Sequence, residues 1–265
     1  LKIVDKVFKS GNLILSKEVI NFEKKFSNFS QTSYGVGVNS GTDALLIALL
    51  SIGIKKNDEV ITVSNTAVPT VSAIVSSQAK PIYVDINEND YLMNPNLIEN
   101  KISKKTKAII PVNLYGQSAD YDFINKIAKK YNIKVIEDCA QSAGAFYKNK
   151  PSGSFGDLAA FSFYPTKNLG GYGDGGMVLT SSQKLYQRCI KLRKYGMSKL
   201  YYSDFHGINS RLDEIHAAIL SFQLKKLKSN IIKRRKIAKI YNQNLKIKDL
   251  ILPVENKNNF HSYYV

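Results

Sequence analysis

The sequence predicts an α/β fold: one large domain with a mostly parallel sheet between two layers of helices, αβα in section. Two observations carry this reading. Between residues 34 and 239, short apolar runs of strand length alternate with longer segments of helical spacing, and such alternation is the mark of a parallel sheet joined by crossover helices. Several of the runs are apolar at nearly every position rather than every second one, as from Leu158 to Tyr164. Strands covered on both faces have that character. A length of 265 residues is enough for one such domain and the start of another.

Taken in order, Glu18 to Phe29 places Val19, Phe22 and Phe26 on one helical face. Tyr34 to Val38 is short and apolar and predicts a strand, and Asn39-Ser40-Gly41-Thr42 turns from it into an almost wholly apolar helix, Asp43 to Ile52. Strand and helix then alternate: Glu59 to Val63, Thr66 to Ser77, Pro81 to Ile86, and a short helix at Pro95 to Lys101. Lys107 to Val112 predicts a strand, Tyr121 to Tyr131 a helix, Lys134 to Asp138 a strand. Leu158 to Tyr164 and Met177 to Thr180 are further strands, and Ser182 to Tyr195 and Arg211 to Lys239 are helices. Neither an internal repeat nor a low-complexity segment interrupts the series.

Composition narrows the function classes. Cys139 and Cys189 are the two cysteines, both inside apolar patterns. They predict a reducing compartment, the cytoplasm, and no disulfide framework. No apolar run has the length of a membrane span, so no membrane partner is predicted. The formal net charge of +17 raises nucleic-acid binding. The lysines are scattered, however, and the one dense stretch, Lys225 to Lys239, alternates with apolar residues as a helix does. No nucleic-acid partner is predicted. His206, His216 and His261 lack metal-ligand spacing, no GxSxG elbow occurs, and no metal is predicted.

The chemistry concentrates where the strand from Leu158 ends. Pro165 cannot continue a central strand; Lys167 follows, then a loop holding Gly170, Gly171, Gly173, Gly175 and Gly176. A lysine at the mouth of a buried strand can lie in a partly dry site. Desolvation disfavours the ammonium, and the free amine can attack a carbonyl, as Schiff-base lysines do. The plain alternatives are a solvated lysine and a mobile surface loop. Further candidates fall at other strand ends, where open parallel sheets bind ligands. Ser40-Gly41-Thr42 opens a helix whose free N–H groups favour a phosphate, or is an ordinary N-cap. Asp138 and Gln141 end Lys-Val-Ile-Glu-Asp-Cys-Ala-Gln, or serve that turn alone. Ser162 lies five residues before Lys167, and Asn209 precedes the long helix, where it could be its N-cap.

Ser-Phe-Tyr-Pro-Thr-Lys-Asn-Leu-Gly-Gly-Tyr-Gly-Asp-Gly-Gly, from Ser162 to Gly176, resembles the lysine segment of the sugar aminotransferases of the DegT/DnrJ/EryC1/StrS family, which use pyridoxal 5′-phosphate (PLP). The resemblance covers nearly the whole chain. It implies the PLP-dependent transferase fold type I, with Lys167 carrying the cofactor covalently and moving protons. It implies a phosphate turn at Gly41 and Thr42, with Ser162 donating to the same phosphate. Asp138 would face the pyridine nitrogen, Gln141 would lie close to the ring, and Asn209 would reach the phosphate of a neighbouring subunit in an obligatory homodimer. The implied reaction moves an amino group from an amino acid, glutamate, to a nucleotide-linked keto-sugar for glycan or polysaccharide assembly. The segment from Asn168 to Gly175 looks more like members acting at a 3-keto than at a 4-keto carbon. A non-transaminating PLP-binding relative is the other class, although the dehydratases among these proteins replace the lysine by histidine. By the same resemblance, residues 1–240 form the large PLP-binding domain. Residues 241–265 begin a smaller C-terminal α+β domain, with His261 to Val265 as its first strand, in a chain that looks clipped at both ends. Three positions depart from the family pattern: Ala67 where an aromatic ring is frequent, Asn113 where histidine is common, and His216 where glutamine is common.

Overall fold

The computed structural model describes residues 2–264. Its elements in chain order are α1 (Lys2–Ser10), α2 (Lys17–Phe29), β1 (Tyr34–Val38), α3 (Gly41–Ser51), β2 (Glu59–Val63), α4 (Val68–Ser76), β3 (Lys80–Val84), β4 (Thr106–Ile109), α5 (Tyr121–Tyr131) and β5 (Lys134–Asp138). There follow β6 (Phe146–Tyr147), β7 (Lys150–Pro151), β8 (Leu158–Ser162), β9 (Gly176–Thr180), α6 (Gln183–Leu192), β10 (Met197–Lys199), β11 (Tyr202–Ser203), α7 (Glu214–Asn244) and β12 (Asn259–Phe260).

The main sheet has seven strands in the order β1-β9-β8-β5-β4-β2-β3. The pairs from β8 through β5, β4 and β2 to β3 are parallel, and β9 runs antiparallel to both of its neighbours, β1 and β8. Because side chains alternate across a strand, β8 sends Leu158 and Ala160 to a core shared with α3, α4 and α6. Ala159 and Phe161 go to the opposite core, with α2 and α7. A third cluster packs Ile61, Val63, Ile109 and Val135 against Tyr121, Ile124 and Ile127 of α5. The sheet is thus buried on both faces, the three-layer αβα arrangement read from the sequence.

Long-range polar ties fix the helices that frame the site. Glu214, 2% exposed, accepts from the N–H groups of Ser16, Glu18 and Val19, so one carboxylate on α7 satisfies the free N-terminus of α2. Arg193 and Glu23 form a buried ion pair, and Glu23 also accepts from Gly37 N at 2.7 Å.

Several element boundaries differ from those expected. The helix expected from Thr66 begins at Val68 with Pro69 in its first turn, the position where a missing N–H costs nothing. Pro95 to Lys101 forms two 3-10 turns instead of a helix. The long helix starts at Glu214 rather than Arg211: its N-cap is Asp213, whose carboxylate accepts from His216 N at 2.8 Å. Asn209 therefore does not cap it. His261 to Tyr264 is not a strand, and Val265 lies outside the described residues. This segment bonds instead to the loop after β4, Ser262 N to Gly116 O at 2.8 Å and Tyr264 N to Tyr115 O at 2.9 Å.

Candidate active site

The carboxyl ends of β1, β5 and β8 and the first turns of α3 and α4 surround a cavity of about 250 Å³. Ser40, Gly41, Thr42, Asp138, Gln141, Ser162 and Lys167 line it together. Of the residues that the resemblance assigns to the cofactor, Asn209 alone stands apart from it.

The α3 wall follows from local chemistry. Ser40 is extended (φ −157°) and its hydroxyl accepts from Asp43 N at 3.1 Å, while Ala44 N to Ser40 O is the first intrahelical bond. Ser40 is therefore an N-cap, as the plain alternative held, yet capping uses the Asp43 N–H and leaves those of Gly41 and Thr42 at the cavity wall. Free N–H groups at the positive end of an eleven-residue helix form an anion site. Gly41 is required by a close approach: a Cβ there would stand 2.7 Å from the Cβ of Ser162. The Ser162 hydroxyl accepts from Tyr164 N at 3.3 Å, which leaves its proton for an acceptor in the cavity.

Asp138, 4% exposed at the end of β5, supplies the opposite charge. Thr70 donates to its Oδ2 at 2.7 Å and Ala140 N to its Oδ1 at 3.1 Å. Burial pushes its carboxyl above the ordinary range, against the Thr70 and Ala140 hydrogen bonds and the charge of Lys167. These partners under-compensate the buried carboxylate, and a cation placed before it would restore the balance.

Lys167 is half-buried. Its Nζ lies 4.4 Å from the centre of the Tyr264 ring and donates to the Tyr264 hydroxyl at 3.4 Å. Burial raises the Tyr264 phenol, but the Thr166 hydrogen bond and the charges of Lys167 and Arg234 outweigh it, and the net shift is downward. Gln141 is oriented by Tyr115 N, which donates to its Oε1 at 2.7 Å. The glycines after Lys167 are packed rather than free: a Cβ on Gly170 would lie 2.3 Å from Pro165 O, and one on Gly176 2.2 Å from Ser40 O.

Asn209 is exposed. Its neighbour Ser210 is buried and donates to Asp43 Oδ2 at 2.7 Å while accepting from Asn39 N at 2.9 Å. The loop bearing Asn209 is thereby fastened to the anion turn, with Asn209 facing outward. Ala67 lines the cavity without offering a ring. Asn113 is fully buried behind the site, accepting from Tyr121 Oη and Ala119 N, each at 2.9 Å, and donating to Ser152 Oγ at 2.9 Å. The sequence reading missed Thr66, Thr70, Tyr164 and Asp174, which also line the cavity. Thr70 sits one turn into α4, and no local pattern marks it as the partner of a carboxylate 68 residues away.

Among the described residues no group of three or more His, Cys, Asp or Glu is placed to hold a metal ion, and no helix is long and apolar enough to cross a membrane.

This donor set fits PLP: N–H and hydroxyl donors for a phosphate, a glycine cradle that a Cβ would fill, an under-compensated carboxylate for a protonated ring nitrogen, and an amine for the aldehyde. Fold and site together define the class of PLP-dependent transferases of fold type I. The chain belongs to the DegT/DnrJ/EryC1/StrS aminotransferase family, whose profile matches residues 1–265. It is 45% identical over 270 residues to the dTDP-3-amino-3,4,6-trideoxy-alpha-D-glucose transaminase of Micromonospora megalomicea subsp. nigra, covering 100% of this chain and 72% of that protein. It is 46% identical over 262 residues to the dTDP-3-amino-3,6-dideoxy-alpha-D-galactopyranose transaminase of Aneurinibacillus thermoaerophilus, covering 99% and 72%. The crystal structure of S. venezuelae DesV in complex with a ketimine intermediate superposes with a TM-score of 0.95 at 38% identity, over 99% of this chain and 71% of that one.

Proposed function

We propose that this chain is a PLP-dependent aminotransferase that moves an amino group from an amino acid, glutamate, to the 3-keto carbon of a nucleotide-linked deoxysugar. The observation that carries the reading is the convergence of Lys167, Asp138 and the α3 N-terminus on one cavity. Relatives similar to the chain are named as transaminases of dTDP-3-amino sugars, which supports the 3-position. Bound in the cavity, PLP supplies an electron sink for charge developing at the amine-bearing carbon.

The chain's own residues divide the remaining work. The N–H groups of Gly41 and Thr42 and the hydroxyl of Ser162 bind and orient the phosphate. Asp138, fixed by Thr70 and Ala140 N, would hold a proton on the ring nitrogen by its charge. Gln141, aimed by Tyr115 N, bounds the ring. Lys167 Nζ would hold the cofactor and, when freed, would serve as base and acid for the proton at the reacting carbon. Leu45, Ala67, Val112 and Ala140 line the cavity and limit water.

Asn209, outward-facing and fastened to the anion turn through Ser210, is assigned to the phosphate site of a second copy in a homodimer. Residues 1–240 form the cofactor-binding unit, and 241–265 begin a smaller one. The exposed apolar side chains Ile247, Leu250, Ile251 and Val254 beyond α7 support that division. Two free, buried cysteines accord with a cytoplasmic enzyme.

The test is borohydride reduction of the PLP-loaded protein followed by peptide mapping, with a panel of amino donors and nucleotide-linked 3- and 4-keto-sugars. Label at Lys167, ping-pong kinetics and a 3-amino product are expected. Lys167→Ala is expected to fold and to lose turnover. Label elsewhere, or appreciable transfer by Lys167→Ala, refutes the assignment; a 4-amino product refutes the carbon.

A further inference from the structure

The loop between Lys167 and β9 is tied at its ends. Gly171 N donates to Phe163 O and Phe163 N to Gly175 O, both at 2.8 Å. Its middle, Tyr172 to Asp174, projects: the Tyr172 side chain is 78% exposed, and Asp174 lines the cavity. The residue reaching that middle from outside the loop is His216, in the first turn of α7. A Cβ on Gly173 would stand 2.8 Å from His216 Cε1 and 2.9 Å from Nε2, and one on Gly171 3.6 Å from Cδ2. The imidazole therefore occupies the space that the absent side chain of Gly173 leaves open.

We propose that His216 is a positioning residue of this active site, whose imidazolium fastens the middle of the glycine loop so that Lys167 and Asp174 bound the cavity as one wall. The contacts fix how the ring acts. His216 Nδ1 lies 2.9 Å from Asp213 Oδ2, and a carboxylate partner makes Nδ1 the donor. With Nδ1 engaged by Asp213, Nε2 is the ring nitrogen left to act on the loop: it stands 2.9 Å from where a Cβ on Gly173 would be, beside the Tyr172 backbone that helps raise the pKa of the ring. In the imidazolium Nε2 carries a proton that it can donate to the Tyr172 carbonyl. In the neutral ring with its proton on Nδ1, Nε2 presents a lone pair to it, and attraction becomes repulsion.

The charged groups facing the ring are Asp213 from its own helix and Asp174 from the loop, both acidic. The hydrogen bond to Asp213 raises the His216 pKa above the ordinary 6.5; burial opposes it, and the Asp213 charge, the Tyr172 carbonyl and Asp174 add to the rise. A base whose folded pKa is raised contributes its full tie below the ordinary value and loses it as pH rises through the folded one. The loop is therefore fully fastened below the ordinary value and released as pH rises through the raised one.

This role rests on the reading of Lys167 for its consequence in catalysis, but its test does not. Hydrogen exchange of the amides of residues 171–174 is measured on the full chain without cofactor, as protection factors from about pH 6 to about pH 9. In the wild type, protection falls by about tenfold across that span, the worth of one charge-assisted hydrogen bond. His216→Gln, whose amide can donate to the Tyr172 carbonyl at every pH, keeps protection with no pH dependence. His216→Ala is low throughout. A flat wild-type profile, or an unchanged slope in His216→Gln, overturns the proposal. In turnover assays an alkaline limb in kcat is expected for the wild type and absent from His216→Gln, and its persistence there also overturns it. If neither protein transfers amine while loop protection behaves as described, the reading of Lys167 fails and this role for His216 stands.

Discussion

Replacing Asp138 by asparagine should have opposite effects on the empty and the loaded protein. In the empty protein the carboxylate is buried, and burial raises its pKa. An acid whose folded pKa is raised adds stability at low pH and loses it as pH rises through that value, so at neutral pH the ionised group weighs against the fold. Asparagine removes that charge. One of its termini becomes an NH₂ facing either the Thr70 hydroxyl or Ala140 N, which costs about 1 kcal/mol. The empty variant should therefore melt within about 1 kcal/mol of the wild type near neutrality, and the wild type should lose more stability than the variant as pH is raised. Under the proposed function, bound PLP would set a ring cation against the buried Asp138 carboxylate. Breaking a buried charge pair costs about 3–5 kcal/mol, and at about 1.4 kcal/mol per factor of ten the amine-transfer half-reaction should slow by roughly 100- to 4000-fold. Thermal melts of the empty and PLP-saturated proteins give the first pair of numbers. Rapid-mixing absorbance of bound cofactor with glutamate gives the second. An empty variant destabilised by about 3 kcal/mol, or a half-reaction within about tenfold of wild type, would refute this account of the carboxylate.

Gly41→Ala places a Cβ 2.7 Å from Ser162 Cβ. Overpacking costs about 1–3 kcal/mol and displaces the anion turn, so PLP affinity measured by equilibrium dialysis should fall, with partial recovery on adding Ser162→Gly; undiminished affinity of Gly41→Ala counts against the cradle. Glu214→Gln leaves the N–H groups of Ser16, Glu18 and Val19 with one neutral acceptor instead of a carboxylate, and urea unfolding should show a loss of about 2–3 kcal/mol with turnover per folded molecule retained; a change under about 0.5 kcal/mol would show the tie to be dispensable. His261 is buried, and its pKa is lowered to about 4; its Nδ1 accepts from Tyr263 N at 2.9 Å, as a neutral ring does. Since a base with a depressed folded pKa loses stability as pH falls from its ordinary 6.5 to about 4, acid titration of the melting temperature should steepen there by about 3 kcal/mol. His261→Gln should flatten that window, and an identical slope in both proteins would place the acid sensitivity elsewhere.

The parallel core was legible because it is written in local pattern. Tyr34–Val38, Glu59–Val63 and Lys134–Asp138 were read with the bounds the structure gives them, since strands buried on both faces are apolar runs bounded by turn residues. The shared cavity of Lys167, Asp138 and Gly41 was legible for a related reason: each lies at or just beyond the end of an apolar run, where open sheets place ligands. What escaped depends on contacts remote in sequence. Thr70 holds Asp138 from another element, and the start of α7 is set by Asp213 rather than Asn209 because Ser210 is drawn away to Asp43. The loop glycines invited a reading as flexible connectors. Their use is steric, and only the backbone positions of Ser40 and Pro165 and the ring of His216 reveal it.

The polar ties around the cavity also reach the loop that carries the outward-facing Asn209. Asp43 sits at the third position of α3, where its carboxylate could have capped its own helix. That work is done by Ser40, and Asp43 instead receives the Ser210 hydroxyl, which in turn accepts from Asn39 N. The anion turn and the loop carrying Asn209 are therefore joined through a fully buried serine. If a second copy receives Asn209 at its own phosphate site, each subunit's anion turn is mechanically linked to its neighbour's cofactor through a single hydroxyl, and occupancy of one site bears on the geometry of the other.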